Sequence, residues 1–142
     1  MTIGQLLTLT ASKFPDRIAL LFEDRKFTYR EFNRRVNQFA QTLLRFGLRK
    51  GEKVAVLLFN SNHSVEAYLG TAKAGGVFTP INFRLAGEEV FYTLDHSDAR
   101  FFCSQRIFLG QWPKSAPNYP ELIFSSPPEI SCSPALSITK PS

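Results

Sequence analysis

The chain has 142 residues, of which 44% are hydrophobic and 20% charged, and it carries a formal net charge of +5. This length suits one hydrophobic core, and the modest basic excess is spread along the chain, which disfavours nucleic acid as a partner. The sequence shows neither a secretory pattern nor an apolar run near 18 residues, so we expect a cytoplasmic protein without a transmembrane segment.

The first part of the chain predicts a helix and a hairpin. Apolar residues at helical spacing predict an amphipathic helix over residues 3–14, which Pro15 ends. Residues 19–22 are typical of a strand, and the charged residues after them predict a turn into a returning arm at Lys26 and Phe27.

The next helix has the clearest start and end signals in the sequence. Thr28 and Glu31 form a capping-box pattern, and Gly47 stands where a left-handed C-terminal cap is favoured. An apolar stripe recurs every three or four residues, at Phe32, Val36, Phe39, Leu43 and Phe46. The opposite face predicts a solvated surface, with phosphate contact as the weaker alternative, and carries Arg30, Arg34, Asn37, Gln41 and Arg45.

The middle of the chain predicts a strand, a helix and a second strand, which together form a βαβ unit. Residues 54–59 are an unbroken apolar run, typical of a parallel strand covered on both faces. Residues 64–74 have helical spacing at Val65, Tyr68, Leu69 and Ala72. Gly75 and Gly76 are most simply a helix stop before a second strand at residues 77–79, and a close approach to a cofactor is the weaker alternative.

A further helix over residues 86–95 and a strand over residues 99–103 extend the pattern to β-α-β-α-β. This alternation predicts the α/β class, with a partial doubly wound sheet preceded by a helix and a hairpin. Residues 104–142 hold seven of the nine prolines and no sustained period. We therefore expect a folded part over residues 1–103 and an irregular or disordered Pro/Ser-rich tail over residues 104–142.

Signals for catalysis are few. The sequence contains no GxGxxG, GxxxxGK[ST], HExxH or GxSxG motif and no paired-carboxylate signature. The loop of residues 60–64 could present N–H groups to an anion at a helix N-terminus, but simple capping by Ser61, Asn62 or Ser64 is favoured.

The histidines and cysteines of the sequence predict neither a metal site nor a catalytic site. His63 and His96 lack a partner at metal-ligand or triad spacing, so each is expected at the surface or in a cap. Cys103 and Cys132 lie far apart without metal-ligand spacing, so we expect reduced thiols and no zinc. The residues alone therefore predict no catalytic, cofactor-binding or metal residue.

The order of several motifs resembles the N-terminal part of the adenylate-forming (AMP-binding) acid–CoA ligases, a superfamily that includes luciferases and peptide-synthetase adenylation domains. Residues 28–37 (TYREFNRRVN) resemble the family pattern T-Y-x-E-L-x-x-x-V-N. Similar segments follow at Gly47 with residues 51–55 (GEKVA), at Asn60 and Ser61, at residues 73–76 (KAGG) and at residues 80–85 (PINFRL), where Phe83 replaces a common proline. The resemblance runs from about Ile3 to Cys103.

The resemblance implies an acyl-CoA synthetase of the long-chain fatty acid–CoA ligase type. Such a parent enzyme would activate a carboxylic acid, here a fatty acid, with ATP and magnesium to an acyl-adenylate, and then transfer the acyl group to CoA. The family's phosphate loop, [ST]-[SG]-G-[ST]-T-G-x-P-K-G, is not found in the sequence. No catalytic, cofactor-binding or metal residue can therefore be assigned to a numbered position.

The expectation is a truncated ligase, with residues 1–103 as a partial N-terminal subdomain, inactive alone and without a cofactor of its own. A non-catalytic α/β binding or assembly module, which self-associates through exposed apolar surface, is the alternative. A nucleic-acid binder is the least favoured hypothesis, because it rests only on Arg30, Arg34, Arg35 and Arg45.

Overall fold

The computed structural model describes residues 1–105, 108, 123–124 and 130–134 of the chain, the last two ranges by their backbone. The described helices and strands, in chain order, are α1 (Ile3–Lys13), β1 (Ile18–Phe22), β2 (Arg25–Thr28), α2 (Tyr29–Arg45), β3 (Lys53–Leu57), α3 (Asn62–Lys73), β4 (Val77–Pro80), α4 (Gly87–His96), β5 (Phe101–Gln105), β6 (Ile123–Phe124) and β7 (Ile130–Pro134). Within this part of the chain, no helix combines the length and the apolar character needed to cross a membrane.

Five strands form one sheet in the order β4-β3-β5-β7-β6, and β1 and β2 form a separate hairpin. Strand β3 lies parallel to both β4 and β5. The predicted β-α-β-α-β alternation with a parallel sheet is therefore confirmed. The apolar run that predicts β3 is buried, since Val54 and Ala55 are fully covered and Leu57 is only 4% exposed.

Helices cover the parallel strands on both faces, as in a doubly wound sheet. Side chains alternate between the faces of a strand, so Val54 and Val56 point to one side of β3, and Ala55 and Leu57 to the other. The first pair packs in a core with residues of α2 and α3, among them Phe39, Leu43 and Ala67. The second pair packs with Val90 and Leu94 of α4 and with Phe102.

Helix α2 follows its sequence signals closely. The Thr28 hydroxyl accepts a hydrogen bond from the Glu31 N–H, and a Glu31 carboxylate oxygen accepts one from the Thr28 N–H at 2.9 Å. Gly47 has φ +87°, the left-handed conformation predicted for the cap. The predicted stripe is buried from Phe32 to Leu43, which confirms the face that packs inward.

Helices α2 and α3 approach closely at Gly70. A Cβ atom at this position would lie 2.6 Å from Phe39 Cδ1 and 3.1 Å from the Val36 carbonyl oxygen, so only glycine allows the contact. The sequence analysis predicts α3 from residue 64, whereas the helix begins two residues earlier at Asn62.

Lys73, at the end of α3, joins three helices through its ammonium group. Nζ donates hydrogen bonds to Thr8 Oγ1 of α1 at 2.7 Å, and to Asn33 Oδ1 and Asn37 Oδ1 of α2 at 2.5 and 2.7 Å. Burial lowers the pKa of Lys73. Gly4 of α1 rests on the lysine stem, because a Cβ there would lie 2.7 Å from Lys73 Cγ. Asn37, predicted on a solvated face, is therefore part of the interior contact.

The expectation of an irregular tail from residue 104 is wrong where the structure describes it. Ser104 and Gln105 belong to β5, and β7 pairs antiparallel with all five residues of β5. The physical reason is that an open sheet edge offers hydrogen-bonding groups even to a segment of weak strand pattern. The rest of this stretch, apart from β6 and residue 108, lies outside the described residues, and the division at residue 103 stays a prediction.

Cys103 is disulfide-bonded, so the expectation of a reduced thiol is wrong for this residue. Its side chain is buried in β5. The antiparallel register of β5 and β7 sets the backbone of Cys132 opposite Cys103, a proximity that their separation in sequence did not indicate.

Candidate functional site

The topology of the sheet predicts a ligand-binding position at the carboxyl ends of its parallel strands. The chain passes from β3 to β4 on one side and then from β4 to β5 on the other side of β3. Ligands of open α/β sheets bind in the crevice where the direction of winding reverses, outside the carboxyl ends of the strands. In this chain that position lies between the ends of β3 and β5.

The crevice itself is closed by side chains. Gln105 Oε1 accepts a hydrogen bond of 3.0 Å from the Phe59 N–H, which ties the ends of β5 and β3 together. The Phe59 ring lies 4.9 Å from the Phe83 ring and 4.8 Å from the Phe108 ring, measured between centroids. The three aromatic rings therefore pack against one another at this end of the sheet.

An open cavity of about 570 Å³ lies beside β4, between that strand and α3. We call it the carboxyl-end groove. Its walls include the aromatic residues Tyr68, Phe78 and Phe83 and the polar residues Asn60, Ser64 and Asn82. Tyr68 and Phe78 meet edge to face, with ring centroids 5.3 Å apart. Among the described residues that line the groove, none carries a formal charge.

The N-terminus of α3 borders this groove and is capped from within the helix. Ser64 Oγ accepts a hydrogen bond from the Ser61 N–H at 3.2 Å and donates one to the Ser61 carbonyl oxygen at 2.8 Å. Ser61 is the N-cap residue, but its own hydroxyl makes no cap hydrogen bond. The prediction of capping therefore holds for Ser64. Anion binding by the loop of residues 60–64, the weaker alternative, stays a prediction.

His63 is buried and not at the surface, which corrects the sequence-based expectation, and Asn62, one of the predicted capping residues, is buried beside it. Asn62 is 1% exposed and His63 3% exposed, because both face the interior beside Glu66 of the same helix. Asn62 Nδ2 donates to Glu66 Oε1 at 3.1 Å, and His63 Nδ1 lies 3.5 Å from Glu66 Oε2. His96, by contrast, is exposed on α4 as expected, with its ring stacked on Tyr92.

Glu66 is the centre of this buried polar cluster, and sequence reasoning missed it. Arg35 of α2 grips the carboxylate with two donors, Nε at 2.5 Å and Nη2 at 3.2 Å. Burial raises the pKa of Glu66, but hydrogen bonds from His63, Arg35 and Asn62 lower it further than burial raises it. The available signal was the spacing of Asn62, Glu66, Gly70 and Lys73, which places polar and small residues on one face of α3.

Two of the four arginines on which the nucleic-acid hypothesis rests form ion pairs within the chain. Arg35 is bound to Glu66 across the helix interface, and Arg30 pairs with Asp16 at 3.1 Å. Arg34 and Arg45 remain on the exposed face, as predicted for a solvated surface. The structure therefore removes Arg35 from any nucleic-acid surface.

The residues of the candidate site do not fit ATP or magnesium. A triphosphate needs cationic donors, and the described lining of the carboxyl-end groove provides only amide, hydroxyl and aromatic groups. Within the described ranges, no three His, Cys, Asp or Glu side chains cluster at a spacing that could hold a metal ion. The groove is suited to apolar groups, with a few hydrogen bonds at its rim.

Comparison with known proteins identifies one enzyme family and relatives that are synthases or acid–CoA ligases. The pattern of the family described as "AMP-binding enzyme" matches residues 7–126. Tyrocidine synthase 1 of Brevibacillus parabrevis is 36% identical over 105 residues, which are 74% of this chain and 10% of that protein. 4-Hydroxybutyrate–CoA ligase 2 of Metallosphaera sedula is 36% identical over 97 residues, which are 68% of this chain and 18% of that protein.

The chain also resembles the solved structure of an N-terminal domain. The N-terminal domain of FACL13 from Mycobacterium tuberculosis is 35% identical, with a TM-score of 0.67 over 71% of this chain and 26% of that domain. The chain thus spans between 10% and 26% of the three relatives named here. The match to residue 126 also corrects the sequence analysis, which expected the similarity to end near Cys103.

Proposed function

We propose a function on the premise that the chain belongs to the AMP-binding enzyme family. The chain forms an N-terminal part of an enzyme that activates a carboxylic acid. That enzyme joins the acid to AMP from ATP, with release of pyrophosphate, and then passes the acyl group to CoA with release of AMP. A fatty acid is the proposed substrate class, within a role in fatty acid metabolism, and the acid–CoA ligase among the relatives supports the reaction class.

The chain by itself is proposed to be inactive. The observation that carries this proposal is the uncharged lining of the carboxyl-end groove, because no side chain of that described lining could neutralise a triphosphate. The test is ATP–pyrophosphate exchange by the purified chain with short-, medium- and long-chain fatty acids. We expect no exchange above the protein-free control, and exchange that depends on an added acid would overturn the proposal.

A non-catalytic assembly module is the second candidate. The carboxyl-end groove favours it, because Tyr68 in its aromatic wall is 40% exposed, and exposed apolar surface of this kind marks interaction sites. Sedimentation velocity over a hundredfold range of concentration tests self-association. A monomer at every concentration, with no binding of an apolar dye, would count against this candidate.

A cytoplasmic location is part of the proposal, because ATP and CoA are substrates of that compartment. The disulfide at Cys103 is the opposing observation, since cytosolic proteins keep their thiols reduced. Thiol labelling of the chain in cell lysates, followed by mass spectrometry, shows whether Cys103 is a reduced thiol or part of a disulfide in the cell. A labelled Cys103 in the cytosolic fraction is the expected result, and a protected one would count against the location.

A further inference from the structure

We propose that a cavity at the amino end of the sheet binds a carboxylic acid with an apolar chain. The cavity has a volume of about 820 Å³ and lies where α1 and α2 meet the C-terminal end of α3. We call it the amino-end cavity. Its ligand takes no part in the proposed adenylation reaction, so the proposal does not depend on that reaction.

The amino-end cavity lies at the opposite edge of the sheet from the carboxyl-end groove. Helix α3 begins after the carboxyl end of β3, and its last residue, Lys73, lies just before the amino end of β4. Because β3 and β4 are parallel, α3 runs back along the sheet, and its 12 residues set its two ends about 18 Å apart. Open α/β sheets carry their reactive groups at the carboxyl ends of the strands, so a ligand at the amino end acts on the fold rather than on the chemistry.

The first argument is the charge of Lys73, which no acidic side chain of the described lining balances. Lys73 is the one formally charged side chain in that lining. Its ammonium donates to three neutral oxygen atoms, those of Thr8, Asn33 and Asn37. Burial lowers the pKa of Lys73, whereas a bound anion favours the charged form of an ammonium group. The charge of the cavity therefore selects an anionic ligand.

The second argument is that polar groups beside Lys73 can turn toward a carboxylate. Thr8 is exposed, and its hydroxyl donates only a long hydrogen bond of 3.4 Å to the Gly4 carbonyl oxygen. A carboxylate oxygen can replace Thr8 Oγ1 as the acceptor of the Lys73 ammonium, and the freed hydroxyl can then donate to the same ligand. Gln41, which is exposed in the lining, offers an amide donor for the other oxygen. Bonds to a charged acceptor are stronger than the neutral bond that is lost.

The third argument concerns the rest of the ligand. The walls of the cavity also include Leu9, which is 48% exposed, and the small apolar residues Ala40 and Ala72. An alkyl chain that covers these residues removes apolar surface from water. One ammonium balances one carboxylate, whereas a phosphate group carries a charge of about −1.5 to −2 at neutral pH. The lining thus fits an acid with an apolar chain better than it fits a phosphate ester.

The test is titration of the full, isotope-labelled chain with sodium octanoate, followed by the chemical shifts of its backbone amides. Gln41→Glu places a negative charge in the amino-end cavity and leaves the helix contacts of Lys73 in place. Asn82→Asp makes the same change from amide to carboxylate in the carboxyl-end groove and is the matched control. Circular dichroism verifies that each variant folds. Gln5→Glu, which also lines the amino-end cavity and keeps an acceptor for the Thr2 N–H, replaces Gln41→Glu if that variant does not fold.

We expect wild type and Asn82→Asp to bind octanoate with a Kd on the order of 1 mM, the affinity of a ligand with about ten non-hydrogen atoms. Gln41→Glu should bind at least tenfold more weakly, and so should wild type with 1-octanol, which has the same chain without the charge. Absence of binding at ten times the expected Kd would overturn the proposal, as would equal binding of octanol or of octanoate by Gln41→Glu. Weaker binding by Asn82→Asp alone would place the acid in the carboxyl-end groove, and tighter binding of octyl phosphate would refute the choice of a carboxylate.

Discussion

Glu66→Gln is expected to destabilise the chain because it removes the charge that Arg35 needs inside the α2–α3 interface. The Glu66 side chain is 5% exposed and that of Arg35 is 19% exposed, so water can replace little of the lost interaction. Removal of one member of a buried ion pair costs about 3–5 kcal/mol in proteins. Because the arginine retains some contact with solvent, we expect a loss of about 2–3 kcal/mol in the free energy of unfolding.

The measurement is urea unfolding at pH 7, followed by far-ultraviolet circular dichroism. The matched control is Asp16→Asn, which breaks the Arg30–Asp16 pair, whose side chains are 68% and 86% exposed. Exposed pairs contribute about 0–1 kcal/mol, so the control should unfold close to wild type. A loss below about 1 kcal/mol for Glu66→Gln, with an unchanged urea slope, would refute the argument that this pair is a major contact.

The pH dependence of the free energy of unfolding gives an independent check of the Arg35–Glu66 interaction. The pKa of Glu66 lies below its ordinary value of 4.5, since the hydrogen bonds from its three partners outweigh burial. A carboxyl with a lowered pKa in the folded state stabilises the fold above its unfolded pKa, and this contribution is lost as the pH falls through the folded pKa. The difference in stability between wild type and Glu66→Gln should therefore be constant above about pH 5 and shrink below pH 4.5. A difference that stays constant down to pH 3 would contradict this assignment.

Three further substitutions test the helix contacts, each by the same urea titration. Lys73→Met should cost about 2 kcal/mol, because it removes three hydrogen bonds from a charged donor; an unchanged midpoint would show that the ammonium does not join the helices. Gly70→Ala should cost about 1–3 kcal/mol through its clash with Phe39, and a neutral result would mean that α2 and α3 separate freely. Thr28→Ala should cost about 1 kcal/mol through loss of the N-cap, whereas Thr28→Ser should restore most of it.

The sequence was most informative where the determinants of structure are local. Thr28 and Glu31 lie one turn apart, and the stripe from Phe32 to Leu43 repeats within a single helix, so both could be recognised without knowledge of the fold. The run that forms β3 was equally clear, because residues 54–57 are all apolar and are buried on both faces of the strand. These signals predicted the parallel sheet and its covering helices.

The sequence was least informative where burial depends on a distant partner. Arg35 and Glu66 belong to different helices, and nothing in the neighbourhood of either residue indicates that they meet. Periodicity also did not identify the most buried residues of α3, since Val65 and Leu69 are half-buried in a core cluster, whereas Asn62 and His63 are fully buried. Both errors have one origin, because the periodicity of one segment does not show which distant segment packs against each face of a helix.

The order of the strands has a consequence for synthesis on the ribosome. Strand β3 lies in the middle of the sheet, between β4 and β5, and both neighbours come later in the chain. Roughly 50 residues separate the end of β3 from the end of β5, and translation at about 5–20 residues per second takes on the order of 2–10 s to supply them. Throughout this interval the apolar segment VAVL of β3 has at least one open edge, in a nascent chain that is exposed to its neighbours on the same messenger RNA. This segment is therefore the expected binding site for a ribosome-associated chaperone.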